Sequence, residues 1–157
     1  MAQHISPYHA PDFYKDALAK GRHRDIVGGR WDETGRIQMQ LLLEAGLLPQ
    51  HHLLDIGAGP GTALWAATDT WASLASAEMV EASGAIRSVG EKLAASSQVK
   101  SHWQAGDVTA KIPALQPADL VTLAYVLDEL PPATLALVTE KLWSLTKGML
   151  VIIEPGT

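Results

Sequence analysis

Short apolar runs alternate with helical patterns along the part of the chain that follows residue 50. The runs are typical of strands buried in a sheet. Between them, apolar residues recur every three or four positions, as they do on one face of a helix. The predicted strands are 52–57, 74–81, 99–104, 118–127 and 148–155, and the predicted helices begin near 62 and span 83–96 and 132–146.

This order predicts an α/β fold. Strands that alternate with helices form a parallel sheet with helices on both faces, here a Rossmann-like, doubly wound sheet of about five strands. Two further helical patterns, at 11–20 and 32–48, precede the first strand. We therefore expect one domain, made of an N-terminal helical arm at 1–49 and a core at 50–157.

Composition excludes some classes of function. The 157 residues suffice for one domain, and 47% hydrophobic with 18% charged residues is a globular composition. The net charge of -5 gives no overall attraction to nucleic acid or to anionic membranes. Cysteine is absent and the six histidines show no metal-ligand spacing, so we expect no metal. Without a signal peptide or an apolar run of membrane-spanning length, we expect a cytoplasmic protein with no membrane partner.

A glycine-rich turn joins the first predicted strand to the first predicted helix. In "LLDIGAGPGT", Gly57, Gly59 and Gly61 lie two residues apart. Such a turn presents unpaired backbone N–H groups and the positive end of a helix dipole to a polar or anionic ligand. The dinucleotide fingerprint requires a further glycine where this chain has Thr62, whereas this spacing, with Asp55 before it, favours S-adenosylmethionine (SAM). A turn that needs glycine only for packing is the alternative.

Acidic residues follow the second and third predicted strands. Glu81 closes the second strand, where a carboxylate can accept hydrogen bonds from both ribose hydroxyls. Its rival, Glu78, lies inside the strand and is expected to face a helix or solvent. After the third strand, Asp107 suits the exocyclic amine of adenine and the Val108 N–H suits a ring nitrogen. An ordinary turn residue is the alternative for Asp107.

These motifs resemble those of the class I SAM-dependent methyltransferases. "LLDIGAGPGT" resembles their motif I, "MVEAS" their second-strand acid, "AGDV" their adenine contact and "ADLVTLAYVLDELP" their fourth strand. Residues 50–157 are also similar to the mitochondrial small-ribosomal-subunit methyltransferase-like family and its bacterial relatives, especially in "GPGTALWAA" and "EPGT". The cofactor-binding residues that we expect are Asp55, Gly57, Ala58, Gly59, Gly61, Thr62, Glu81, Ala82, Asp107, Val108 and Tyr125.

The resemblance implies SAM as cofactor, S-adenosylhomocysteine as product, and a substrate in the small ribosomal subunit or its rRNA. Family members continue past "EPGT" into a part that carries cysteine metal ligands, and the arm is more similar to other small class I methyltransferases. A mixed natural relative, a truncated chain and an engineered chimera all fit this mixture. The class I sheet has seven strands, of which the last two lie beside the fifth, but only five strands are predicted here. The strand at 148–155 is therefore expected to have an unpaired edge. We therefore expect a homodimer or a swapped assembly through that strand.

The candidate catalytic residues lie at the end of the fourth predicted strand. "AYVLDELPP" lacks the Asn/Asp-Pro-Pro-Tyr/Phe signature of amino-methylating enzymes. Asp128 and Glu129 are candidates for a general base or for acceptor binding, with acids that favour a helix start as the alternative. Tyr125 either lines the pocket or packs in the core, and Glu154 either lies near the acceptor or is merely exposed.

Three functions stay open on the sequence. The first is a SAM-dependent methyltransferase, or the SAM-binding part of one, acting on small-subunit rRNA. The second is a noncatalytic SAM-binding or ribosome-assembly module. The third is a dinucleotide-binding oxidoreductase, which Thr62 and Asp107 disfavour.

Overall fold

One parallel sheet forms the centre of the protein in this computed structural model, which describes residues 20, 33, 36, 37, 40, 43, 44, 50–70, 74–110 and 112–154. Its strands are β1 (His52–Ile56), β2 (Ser76–Glu81), β3 (Ser101–Ala105), β4 (Ala118–Ala124) and β5 (Thr146–Ile153). Their order is β3-β2-β1-β4-β5, and every neighbouring pair is parallel. The predicted doubly wound sheet of about five strands is confirmed.

After residue 50, the helices that cover this sheet are α1 (Thr62–Thr70), α2 (Gly84–Ala94) and α3 (Pro132–Ser144). The chain passes through α1 and α2 toward β3, but through α3 in the opposite direction, toward β5. Right-handed crossovers then place α1 and α2 on one face and α3 on the other. The buried clusters agree: Leu64 of α1 clusters with Met79, and Val138 of α3 clusters with Leu54.

The local sequence explains where the helices start. The Ser83 hydroxyl accepts the N–H of Ile86 at 3.3 Å and so caps α2. Pro132 occupies the first position of α3, where its missing N–H costs nothing. Helix α1 begins directly after Gly61, so the positive end of its dipole lies at the carboxyl edge of the sheet.

Strand β4 is shorter than predicted. It ends at Ala124, and the prediction that it continues to residue 127 is wrong. Tyr125 has φ 58, in the left-handed region, and a 3-10 turn follows at Leu127–Glu129. The backbone therefore leaves the sheet although the sequence stays apolar, because the apolar pattern carries no information on φ. The other elements after residue 50 differ from prediction by one or two residues at their ends.

The predicted arm lies mostly outside the described residues. This holds for the whole of the first arm helix before residue 20. Within the second, residues 33, 36, 37, 40, 43 and 44 are helical, and the Gln40 amide donates to Glu44 at 2.9 Å. The division into an arm at 1–49 and a core at 50–157 stays a prediction.

Gly90→Ala is expected to destabilise the protein, although alanine is the better helix former. A methyl group at Gly90 would overlap the indole ring of Trp103 on β3. Overpacking costs about 1–3 kcal/mol, and an overlap this close places the cost in the upper part of that range, above the gain of about 1 kcal/mol in helix propensity. Urea unfolding measures the difference. The control is Gly84→Ala, whose methyl would lie 3.7 Å from the Arg87 guanidinium and within 4 Å of no other described side chain. A Gly90→Ala protein as stable as this control would contradict the packing.

Candidate functional site

The loop between β1 and α1 contains three glycines with left-handed backbones. Gly57, Gly59 and Gly61 have φ values of 66, 55 and 95, which strain any residue with a Cβ. A Cβ on Gly57 would strike the side chain of Val126, whereas one on Gly59 would meet no atom of the described residues within 4 Å. Packing therefore requires Gly57, whereas Gly59, at the carboxyl edge of the sheet, borders space that no described residue fills.

The backbone donors of this loop are engaged within the protein. The N–H groups of Gly57 and Ala58 both donate to the carbonyl oxygen of Val80, at 2.9 and 3.0 Å, and Gly61 donates to Ala58 at 2.9 Å. The expected unpaired donors are therefore absent from these three positions. Helix geometry provides no intrahelical acceptor for the N–H groups of residues 62–64 at the start of α1, whereas the Trp65 N–H donates to the Gly61 carbonyl at 3.0 Å.

Glu81 ends β2 and fastens the glycine loop. Its Oε2 accepts the N–H of Gly59 at 2.9 Å, and its Oε1 accepts the N–H of Ser83 at 2.7 Å. Burial raises the pKa of Glu81, although these backbone bonds and Arg87 act to lower it. Each oxygen keeps a lone pair beyond these bonds, so the carboxylate can hold the loop and accept from a ligand at once.

Asp55 lies in the middle of the sheet, on β1. Its register neighbours are Met79 of β2 and Thr122 of β4, and its side chain is 3% exposed. The Thr122 hydroxyl donates to Asp55 Oδ1 at 2.6 Å and lies 3.4 Å from the Leu54 carbonyl oxygen. Burial raises the pKa of Asp55 from 3.8 to about 7, while the Thr122 bond lowers it and Glu81 raises it further.

The raised pKa of Asp55 makes stability depend on pH. The folded protein holds this proton more tightly than the unfolded chain, whose carboxyl keeps a pKa near 3.8. The resulting stabilisation is present in full below about pH 4 and is lost as the pH rises through about 7.

Asp55 and Glu81 lie on the same face of the sheet. Side chains two residues apart on a strand share a face, and Glu81 comes two residues after Met79, the register neighbour of Asp55. Arg87 is a cation beside Glu81, and its Nη1 donates to the Glu81 carbonyl at 3.0 Å. Two buried carboxylates attract a cationic group and repel a phosphate.

Glu78, the rival of Glu81, belongs to the opposite face. It is the register neighbour of Leu54, which packs in the cluster under α3. Its Oε1 lies 2.8 Å from His102 Nδ1 and accepts from the Gln104 amide at 2.6 Å. Glu78 is therefore a surface partner of β3, as its place inside the strand predicts.

Asp107 and Val108 follow β3 at the carboxyl edge. Asp107 Oδ1 accepts the Thr109 N–H at 2.7 Å and the Thr109 hydroxyl at 2.6 Å. These bonds lower the pKa of the exposed Asp107. The turn expected as the alternative for Asp107 is therefore present. Val108 is half-buried and packs on the cluster under α3.

The loop after β4 carries the candidate catalytic residues. Tyr125 is 41% exposed, so its expected alternative of core packing is wrong. Asp128 and Glu129 are exposed in the 3-10 turn, where acids also favour a helix start. Glu154, the first residue after β5, is half-buried, and its carboxylate accepts backbone N–H groups of this loop.

The sequence did not identify two residues of this site. Thr122 is read as an ordinary strand residue, because its partner Asp55 lies 67 positions away. Val126 belongs to an apolar run, and nothing in that run indicates its contact with Gly57. Ala58 and Thr62 are buried in and after the loop, whereas Ala82 is exposed beside Glu81.

No group of three or more metal-ligating side chains occurs among the described residues. In that same part of the chain, no helix has the length and apolar character needed to cross a bilayer.

A family model identifies the chain. Residues 44–157 match the family described as mitochondrial small ribosomal subunit Rsm22. The chain belongs to the Rsm22 family. The match covers the whole sheet and the glycine loop, which confirms the resemblance inferred from the sequence. The expected cytoplasmic location is not tested by this description and stays a prediction. No curated protein sequence matches the Rsm22 chain.

Solved structures share the fold. The Rsm22 chain is similar to a putative SAM-dependent methyltransferase from Methanococcus maripaludis, with TM-score 0.70, 18% identity, and coverage of 97% of this chain and 66% of that one. Magnesium protoporphyrin IX methyltransferase from Synechocystis PCC 6803, solved with S-adenosylhomocysteine, is similar with TM-score 0.68 and 17% identity, and the match covers 90% of this chain and 68% of that one. Coclaurine N-methyltransferase, solved with N-methylheliamine and S-adenosylhomocysteine, is similar with TM-score 0.66 and 17% identity, and the match covers 77% of this chain and 36% of that one.

The lengths of these proteins differ from that of the Rsm22 chain. The chain spans about a third of coclaurine N-methyltransferase and about two thirds of the Methanococcus protein. At identities of 17 and 18%, the likeness establishes the methyltransferase-type α/β fold of the chain.

Proposed function

We propose that this Rsm22 chain binds SAM and acts as a SAM-dependent methyltransferase or as the SAM-binding part of one. The observation that carries the proposal is the bond from the Gly59 N–H to Glu81, which joins the open side of the glycine loop to a buried carboxylate. The family and the fold support it, since structural neighbours are methyltransferases solved with SAM or S-adenosylhomocysteine.

The residues would hold SAM in the order in which the strands end. The methionine part would lie along Gly57–Gly61, with Asp55 as the negative charge below it. Glu81 would accept from the ribose hydroxyls beside Ala82, and Asp107 Oδ2 with the Val108 N–H would hold adenine. When bound, SAM supplies a methyl group on a positively charged sulfur, and the protein contributes by orienting the acceptor toward it.

A dinucleotide-binding oxidoreductase is disfavoured by the same contacts. On this loop a pyrophosphate would find donors only in the first turn of α1, because Gly57, Gly59 and Gly61 already donate within the protein. It would also bring negative charge toward Asp55 and Glu81. Thr62 stands where the dinucleotide fingerprint has glycine.

Whether the chain catalyses transfer depends on the loop after β4. Tyr125 is exposed there and would line the acceptor side, while Asp128 and Glu129 are the candidates for a base. A noncatalytic SAM-binding or ribosome-assembly module is the second candidate, favoured because "DELPPA" departs from the Asn/Asp-Pro-Pro-Tyr/Phe signature of amino-methylating enzymes. Methyl transfer from labelled SAM in the presence of small ribosomal subunits separates the two, since the module binds SAM without transferring label.

The proposed acceptor is small-subunit rRNA, and its support is the description of the Rsm22 family. We expect label in rRNA when small subunits or their purified rRNA are offered, and none with large-subunit rRNA. Label confined to ribosomal protein would contradict this acceptor while leaving methyl transfer intact.

We also propose a homodimer through β5. Among the described strands β5 stands at one edge of the sheet, and Met149 and Ile152 on it are 39% and 37% exposed. An exposed apolar edge pairs readily with another chain. Light scattering should give twice the mass of one chain, and a monomer at working concentration would contradict the proposal.

Affinity for SAM is expected to rise with pH. With a pKa of about 7, Asp55 is about one tenth ionised at pH 6 and about nine tenths ionised at pH 8. If the cationic ligand binds the ionised form, its affinity increases up to about tenfold over this range. Calorimetric titration at the two pH values measures the change. Asp55→Asn, which mimics the protonated form, should bind SAM weakly, and its affinity should change less between the two pH values. An equal change in this variant would mean that another group causes the pH dependence.

A further inference from the structure

The loop after β4 is held by a residue from a different strand end. Glu154 follows β5, and its Oε1 accepts the N–H groups of Val126 at 3.1 Å and Leu127 at 2.8 Å. Its Oε2 lies 3.5 Å from the Asp128 N–H, which points to it as a third donor. Val126, the residue before the 3-10 turn, provides no side-chain cap. Glu154 therefore supplies the cap that the local sequence of the turn lacks.

The same loop touches the glycine loop. The Val126 side chain lies so close to Gly57 that a Cβ there has no room. On its other side, the backbone of Tyr125 is tied to β5, because its N–H donates to the Ile153 carbonyl at 2.7 Å. The position of Val126 is thus fixed by bonds to the end of β5 and by contact with the loop that follows β1.

We propose that Glu154 is a positioning residue that couples the acceptor side of the site to the glycine loop. Its carboxylate holds the backbone of residues 126–128 in place, and the Val126 side chain then packs against Gly57. The inference rests on the proposed SAM site, because Glu154 would affect SAM binding indirectly, through the backbone of the loop that its carboxylate holds. A loop already held in its binding geometry loses less conformational freedom when the ligand arrives, so its affinity is higher.

The first test needs no ligand. In Glu154→Ala, amide hydrogen exchange measured by NMR should become about tenfold faster or more at residues 126–128, because the bonds to a charged acceptor are lost. Amides in β1 should keep their wild-type rates. Glu154→Gln retains an acceptor oxygen, so its exchange rates at residues 126–128 should lie between those of wild type and Glu154→Ala. The control is Glu140→Gln, on the exposed surface of α3. Wild-type exchange at residues 126–128 in Glu154→Ala, or equal acceleration in β1, overturns the positioning role.

The second test is titration with S-adenosylhomocysteine. Glu154→Ala should bind about three- to tenfold more weakly than wild type, with partial recovery in Glu154→Gln and no change in Glu140→Gln. Equal affinity in wild type and Glu154→Ala overturns the coupling. Failure of the wild-type protein to bind overturns the proposed function and the coupling with it, and the exchange experiment still tests separately whether Glu154 orders the loop.

Discussion

Gly59→Ala should weaken SAM binding about tenfold or more while the protein stays folded, whereas Gly57→Ala should disrupt folding. A methyl group on Gly59 enters the open space assigned to the ligand, and its left-handed φ of 55 costs about 1–2 kcal/mol. A methyl group on Gly57 bears the same backbone strain and also overlaps Val126. The overlap adds about 1–3 kcal/mol, a large part of the stability of a small domain.

Urea unfolding and calorimetric titration separate these two effects. Stability should fall much further in Gly57→Ala than in Gly59→Ala, and affinity should fall in Gly59→Ala at ligand concentrations where the protein is folded. Normal SAM affinity in a folded Gly59→Ala protein would mean that SAM does not occupy the space beside this loop.

Glu81→Gln should lower the affinity for SAM by about 10- to 100-fold. The amide keeps the size of the carboxylate but loses the negative charge and one acceptor oxygen, and hydrogen bonds to charged groups contribute about 1.5–3 kcal/mol each. Stability should fall by about 1–3 kcal/mol, because the N–H of Gly59 or Ser83 loses its acceptor. Calorimetric titration below the unfolding temperature of the variant measures the affinity.

Glu78→Gln is the matched control for this substitution. It makes the same chemical change on the same strand, on the face where the carboxylate contacts His102 and Gln104. Its affinity for SAM should equal that of the wild-type protein. Equal losses in both variants would mean that net charge, rather than the position of Glu81, controls binding.

The fold followed from the sequence because its signals are local. Apolar runs and helical periods report burial directly, and their alternation restricts the sheet to a parallel topology. The one large error in the core, at the end of β4, arose where backbone geometry and apolar pattern disagree. Tyr125 leaves the sheet with φ 58 while the residues around it remain apolar.

The sequence indicated candidate residues at this edge of the sheet, but it did not indicate the contacts that these residues make. Gly57 and Glu81 follow strand ends, and parallel strands bring their ends to one edge. The contacts that give these residues separate roles are long-range: Thr122 with Asp55, and Val126 with Gly57. Such contacts depend on the packing of distant elements, and a single sequence carries no signal for them.

Titration of the wild-type chain with SAM and, separately, with NAD at about pH 8 tests the central claim most directly. The contacts of Glu81 with the glycine loop, and the charge of Asp55 beside it, predict saturable binding of SAM and none of NAD. Binding of NAD, or no binding of SAM by the folded protein, would contradict the account.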